Sequence, residues 1–108
     1  MEIYDYTTQG GKNLIKEYTD KLPAGTQAEI KDARILITET GIDAFGYLNT
    51  RQLYKKLWEI KISQERIMYV IRDAEAVFFL HICKKQKGKA EKKNIELAKK
   101  RAKEEGLL

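Results

Sequence analysis

The spacing of apolar residues changes near the middle of the chain, from a helical period to the two-residue period of strands. Residues 1–6 alternate as a short strand would. Residues 12–21 carry apolar positions three and four apart, and a second helix is expected from Ala24 to a C-terminal cap at Gly41. Because Pro23 separates them closely, we expect these helices to form a hairpin.

The second half of the chain is predicted to form strands. Residues 42–53 are irregular and are expected to be a loop. Residues 57–62, 66–72 and 76–83 form three apolar runs joined by two-residue turns, which predicts an antiparallel meander. The last run, AVFFLHIC, is apolar on both faces, as in a central strand covered by helices on both sides.

A closing helix is predicted after Gly88, where Ile95, Ala98 and Ala102 form a narrow apolar stripe in a lysine-rich segment. The expected fold class is therefore α+β, an antiparallel sheet with an N-terminal helical hairpin and a C-terminal helix. A length of 108 residues predicts a single domain, residues 1–108.

Cysteine and histidine usage argues against several classes of site. Cys83 and His81 each stand alone, so neither an internal disulfide nor a Cys/His metal site is expected, and no cofactor is predicted. The first residues do not resemble a signal peptide, and no apolar run is long enough to span a membrane. We expect a cytoplasmic location.

Charge is distributed unevenly along the chain. Residues 1–50 carry five Lys and Arg against eight Asp and Glu, whereas residues 51–108 carry sixteen against eight. A strongly basic half favours a polyanionic partner such as RNA. The alternative is a solvated lysine-rich surface with no partner.

Strand register predicts where this charge is concentrated. If Trp58, Ile60 and Ile62 face the core, Glu59 and Lys61 face the opposite side of the sheet. The expected cationic patch is formed by Lys61, Arg66, Lys84 and Lys85. The alternative is that Arg66 only pairs with Glu59 or Glu65 across the hairpin.

Such a patch is suited to RNA cleavage by a ribose 2′-hydroxyl attacking the adjacent phosphate. Arg and Lys stabilise charge on the phosphoryl oxygens. A lysine with an ordinary pKa of about 10.4 is a poor base, but neighbouring cations lower that pKa. His81 lies within an apolar strand, where a hydrogen-bonded core residue is a commoner role than a general acid.

Three segments carry a family resemblance: LYKKLWEIKIS, RIMYVI and VFFLHICKKQKGKAEKKNIELAKKRAKEE. They resemble the phage-derived toxin branch of the RelE/HigB superfamily, and the first half of the chain also fits it. The resemblance implies a small RelE-like fold and a metal-independent endoribonuclease that cleaves mRNA on the ribosome. It further implies a cognate helix-turn-helix antitoxin, HigA-like, through which the complex binds promoter DNA.

The resemblance also implies site residues: Lys61 in the first strand, Arg66 opening the second, and Lys84 or Lys85 after the third. A strand lysine of some relatives is replaced here by Glu59, which cannot bind phosphate and is a candidate base. The aromatic that some relatives carry after the last basic residue is missing. The remaining lysines expected to bind mRNA and ribosomal RNA are Lys55, Lys56, Lys87, Lys92 and Lys93.

Two other functions remain open from the sequence. One is a basic module that binds RNA or the ribosome without cleavage. The other is a degenerate toxin that acts only as a corepressor with its antitoxin.

Overall fold

The computed structural model describes all of residues 1–108 as five strands, three α-helices and one 3-10 helix. In chain order they are β1 (Glu2–Asp5), α1 (Leu14–Asp20), α2 (Ala24–Thr40), the 3-10 helix (Gly41–Gly46), β2 (Thr50–Tyr54), β3 (Leu57–Ile62), β4 (Glu65–Asp73), β5 (Ala76–Lys84) and α3 (Gly88–Glu104). No α-helix has the length and apolar character needed to cross a bilayer.

The five strands form one sheet in the order β1-β5-β4-β3-β2. The α+β prediction is confirmed, and β3, β4 and β5 form the expected meander. The sheet is mixed, however, because β1 runs parallel to β5 at one edge of the predicted antiparallel strands. Parallel neighbours cannot be joined by a tight turn and need a long connection between them in the chain. The helical hairpin, which follows β1 and crosses one face of the sheet, is part of the connection between β1 and β5.

The predicted loop over residues 42–53 is also wrong in part, since it contains the 3-10 helix and most of β2. Strand β2 pairs with β3 through a tight turn at Lys55 and Lys56. Lys55 adopts a left-handed conformation with φ 51°. Turns of this kind usually contain Asn or Gly, so two lysines give no sequence signal for a hairpin.

Each face of the sheet has its own apolar core. On one face, Ile30 and Ile37 of α2 pack in the same cluster as Ile67 and Phe79 of the sheet. On the other face, α3 packs through Ala98 and Ala102 against a cluster that includes Leu57, Met68 and Leu80. The expectation that β5 is covered on both faces is therefore confirmed.

Trp58 is an exception to the predicted burial, although it lies on the predicted face of the sheet opposite Tyr69. Ile60 and Ile62 are buried as expected, but Trp58 is 37% exposed. It lines an open groove with Phe45 of the 3-10 helix and Tyr69 of β4.

A bulge in β5 places His81 beneath α3. Met68 pairs with His81 and the next residue, Tyr69, pairs with Phe79, so Leu80 is the extra residue. His81 Nε2 lies 2.6 Å from Asn94 Oδ1, and Arg101 Nη1 lies 3.3 Å from His81 Nδ1. Because Arg101 can only donate, Nδ1 is the acceptor and Nε2 carries the proton in the neutral ring.

Burial lowers the pKa of His81 below its ordinary value of 6.5; the hydrogen bond to Asn94 opposes this shift and the Arg101 charge adds to it. The structure therefore favours a half-buried, hydrogen-bonded histidine that helps to hold α3 on the sheet.

Gly41 is expected to be intolerant of substitution. It ends α2 with φ 77° and ψ −148°, a conformation that side chains avoid. Gly41→Ala should lower the free energy of unfolding by about 1–3 kcal/mol. The matched control is Gly25→Ala, within α2 and with open space at its Cβ, which should raise stability by about 0.5 kcal/mol. Urea unfolding of both variants measures the two changes in the free energy of unfolding, which should have opposite signs. Equal changes would contradict the requirement for glycine at position 41.

A second prediction concerns His81, which is the chain's single histidine and so gives an unambiguous NMR titration. The midpoint should lie below 6.5. Because the unfolded chain then binds a proton more readily than the folded one, the contribution of His81 to stability is complete above pH 6.5 and is lost as the pH falls through the folded-state pKa. A midpoint at or above 6.5 would contradict this environment.

Candidate active site

A charged cleft opens between one end of the sheet and the first turns of α3, with a volume of about 240 Å³. Strands β2 to β5, the loop after β5 and α3 all contribute to it. Its lining residues are Arg51, Glu59, Lys61, Arg66, Met68, Cys83, Lys84, Lys85, Gln86, Lys87, Glu91 and Asn94.

The five residues proposed for catalysis from the sequence all line this cleft: Glu59, Lys61, Arg66, Lys84 and Lys85. Cross-strand register brings them together, because Lys61 lies opposite Arg66, and Arg66 lies opposite Cys83. The backbone N–H of Lys85 donates to the Gln64 carbonyl at 2.7 Å, which holds the loop after β5 against the β3–β4 turn.

Arg66 has no carboxylate partner. Its Nη1 donates to the backbone carbonyls of Ser63 at 3.2 Å and Glu65 at 2.8 Å. The carboxylates considered as its cross-strand partners pair elsewhere, Glu59 with Arg51 and Glu65 with Lys84. The structure therefore favours the cationic patch over the ladder pair, because Arg66 forms no ion pair with either carboxylate.

Lys84 is in a different electrostatic situation from Arg66. Its Nζ donates to Glu65, whose carboxylate is buried and also accepts a 2.6 Å hydrogen bond from the Tyr18 hydroxyl of α1. Burial, with the Glu65 hydrogen bond and charge, raises the pKa of Tyr18, so this phenol remains a donor. Lys84 thus compensates a buried carboxylate, and Lys85 carries the less constrained charge.

Glu59 is buried within the cleft and is held by Arg51. Arg51 Nε donates to Glu59 Oε2 at 2.9 Å. Arg51 belongs to β2 and was missed by sequence reasoning because β2 was interpreted as loop. Recognition of a strand in TRQLY, with its β-branched and aromatic ends, would have placed Arg51 beside Glu59.

The first two turns of α3 supply residues that no sequence pattern indicated. Glu91 Oε2 lies 3.5 Å from Arg51 Nη2 across the cleft. Asn94 donates to Gln86 Oε1 at 3.2 Å and to the Ala90 carbonyl at 2.9 Å. The Gln86 contact connects the helix to the loop after β5 and the Glu91 contact connects it to β2, and both depend on how α3 docks.

Cys83 lines the cleft but is a poor nucleophile. Burial, aided by the charge of Glu59, raises the pKa of its thiol to about 11. The thiolate is the reactive form, so this cysteine is protonated and unreactive near neutral pH.

The lysines expected to bind RNA are dispersed over the surface. Lys87 lines the cleft. Lys55 and Lys56 lie at the β2–β3 turn, at the opposite end of β3 from Lys61, and Lys56 lines the Trp58 groove on the other face of the sheet. Lys92 and Lys93 are exposed on α3 and do not line the cleft.

The cleft is strongly cationic. Six of its lining residues are Lys or Arg and two are Glu. No group of three or more His, Cys, Asp or Glu side chains is placed to hold a metal ion. The chemistry that this arrangement supports is the binding of a polyanion and the stabilisation of charge on phosphoryl oxygens.

The match to a known protein family covers the same region of the chain. Residues 17–103, which include the meander, the cleft residues and nearly all of α3, match the family described as phage derived protein Gp49-like (DUF891). No curated protein matches the sequence significantly. The chain therefore belongs to the Gp49-like family, a toxin–antitoxin-associated family of RelE-like toxins.

Proposed function

We propose that this protein is the toxin of a type II toxin–antitoxin system and a ribosome-dependent, metal-independent mRNA endoribonuclease. The observation that carries the proposal is the cleft in which Arg66 lies opposite Lys61 without a carboxylate partner. A half-buried guanidinium that forms no ion pair within the protein is available to bind an anionic ligand. The scissile phosphate of an RNA is such an anion.

In this proposal the cleft residues divide the work of an in-line attack by the ribose 2′-hydroxyl. Arg66 and Lys85, with support from Lys84, bind the phosphoryl oxygens and stabilise the charge that develops there. Lys61 acts near the 2′-hydroxyl. Glu59 acts through Arg51, because its carboxylate already accepts the Arg51 Nε–H.

The proposed partners follow from the family. A helix-turn-helix antitoxin, HigA-like, neutralises the toxin and brings the complex to promoter DNA. The toxin meets mRNA on the ribosome in the cytoplasm, and the exposed Lys87, Lys92 and Lys93 contact ribosomal RNA. Lys55 and Lys56 do not line the cleft, so the role proposed for them is a peripheral contact.

One observation favours an alternative function without cleavage. The protein would then be either a module that binds RNA or the ribosome, or a degenerate toxin that serves as a corepressor. The only imidazole of the chain is not among the residues that line the cleft, since His81 lies under α3 against Asn94 and Arg101. The cleft therefore has no histidine, the side chain that most often serves as a general acid.

Primer extension on cellular mRNA after brief induction separates these functions. New 5′ ends at in-frame codon positions, dependent on translation, are expected. Arrested translation with intact message would indicate the binding module, and growth without any defect would indicate the corepressor.

Arg66→Ala is expected to abolish growth arrest and to lower the rate of mRNA cleavage by about 100-fold or more, because a phosphoryl-stabilising charge is removed. The matched control is Arg72→Ala, near the other end of β4, where Arg72 pairs with the adjacent Asp73. This control should remain toxic.

Antitoxin binding, measured by co-purification, should be retained in both variants. Full toxicity of Arg66→Ala would contradict the site assignment.

A further inference from the structure

We propose that Arg51 is a second phosphate-binding residue of the cleft and that Glu91 masks it in the free protein. The inference rests on the proposed function, because the ligand it assigns to Arg51 is a phosphate of single-stranded RNA. Neither residue was indicated by the sequence pattern.

The first step concerns how Arg51 is oriented. Its Nε donates to Glu59 at 2.9 Å, and the Glu59 side chain is only 3% exposed. Opening this contact would leave a buried carboxylate without a partner, which is strongly unfavourable. The guanidinium is therefore held firmly by one edge, with its Nη edge free to point into the cleft.

The second step concerns what occupies that edge. Glu91 Oε2 lies 3.5 Å from Arg51 Nη2, beyond ordinary hydrogen-bond distance for a charged pair, and the two side chains are 36% and 44% exposed. Exposed ion pairs of this geometry contribute little and are easily exchanged for another anion. Glu91 thus occupies the edge weakly, whereas Glu59 holds the opposite edge strongly.

The third step concerns what can replace Glu91. Arginine is planar and carries donors on two edges, so one guanidinium can keep Glu59 and bind a phosphate at the same time; lysine cannot. An RNA strand in the cleft is also attracted electrostatically by Lys61, Arg66 and Lys85. Once a phosphate is bound to these cations, they no longer attract the Glu91 carboxylate. A phosphate therefore displaces Glu91 from Arg51.

The consequence is that the Glu91 carboxylate lowers the affinity of the cleft for RNA. Glu91 is in the first turn of α3, where a negative charge is favourable for the helix, and the contact to Arg51 also joins α3 to β2. In the free protein this contact keeps an anion on the Nη edge of Arg51. RNA must displace that anion, which lowers its affinity.

The test uses a labelled single-stranded RNA with methylated 2′-hydroxyls, which cannot undergo the attack, in anisotropy titrations at fixed salt. Glu91→Gln should tighten binding about three- to fivefold, the range expected for release of an exposed ion pair. The matched control is Glu96→Gln, on the same helix, which removes the same charge and also frees a cation, Lys99, from a 3.3 Å pair. It should change binding by less than about half that factor.

A coupled variant tests whether the gain passes through Arg51. Arg51→Lys retains a cation beside Glu59 and so protects folding, but it lacks the second edge. The double variant Arg51→Lys with Glu91→Gln should therefore show no more gain over Arg51→Lys than the Glu96→Gln control shows over the natural protein. Thermal unfolding of each variant checks that the fold is intact.

The outcomes separate this inference from the proposed function. Equal effects of Glu91→Gln and Glu96→Gln, in a protein that binds RNA and cleaves mRNA, overturn the masking by Glu91 and leave the function standing. A gain that persists in the Arg51→Lys background overturns the role of Arg51. A natural protein that does not bind the RNA overturns the inference about Arg51 and Glu91, whereas the proposed function fails only if primer extension shows no cleavage of cellular mRNA.

Discussion

The packing of α3 against the sheet through two alanines is the constraint on which the site depends. Ala98 and Ala102 are fully buried, and their small side chains let the helix lie close to Leu57 and Leu80. The helix covers the apolar part of this face of the sheet and leaves the charged part of the same face uncovered. The uncovered remainder of the face, together with the first turns of α3, is the cleft.

Some cations of the cleft are paired with carboxylates and others are not, and this difference gives the residues different roles. Both buried carboxylates have cationic partners, Glu59 with Arg51 and Glu65 with Lys84. Because a buried carboxylate must be paired, Arg51 and Lys84 are partly committed to holding the structure. Arg66 forms no ion pair with an acid, and this difference is the electrostatic basis for proposing it as the phosphate-binding residue.

The sequence and the structure agree on elements that a local pattern defines and differ on those that lack one. The meander, the C-terminal cap of α2 at Gly41 and the apolar stripe of α3 were all predicted, since each depends on local periodicity or on a single residue with special backbone freedom. Strand β2 was not predicted, because its turn uses Lys55 in a left-handed conformation in place of Asn or Gly. The exposure of Trp58 depends on which part of the sheet the helices leave open, which no local pattern reports.

The same division applies to the candidate site. The sequence by itself determined that Glu59, Lys61 and Arg66 share one face of the meander, because side chains alternate strictly along paired strands. It also placed Lys84 and Lys85 at the adjoining end of β5. Only the tertiary structure decided that Glu59 is paired with Arg51, that Lys84 is engaged by Glu65, and that α3 brings Glu91 to the opposite wall. These contacts join segments far apart in the chain, and their partners are selected by helix docking and burial, quantities that the spacing of residues does not encode.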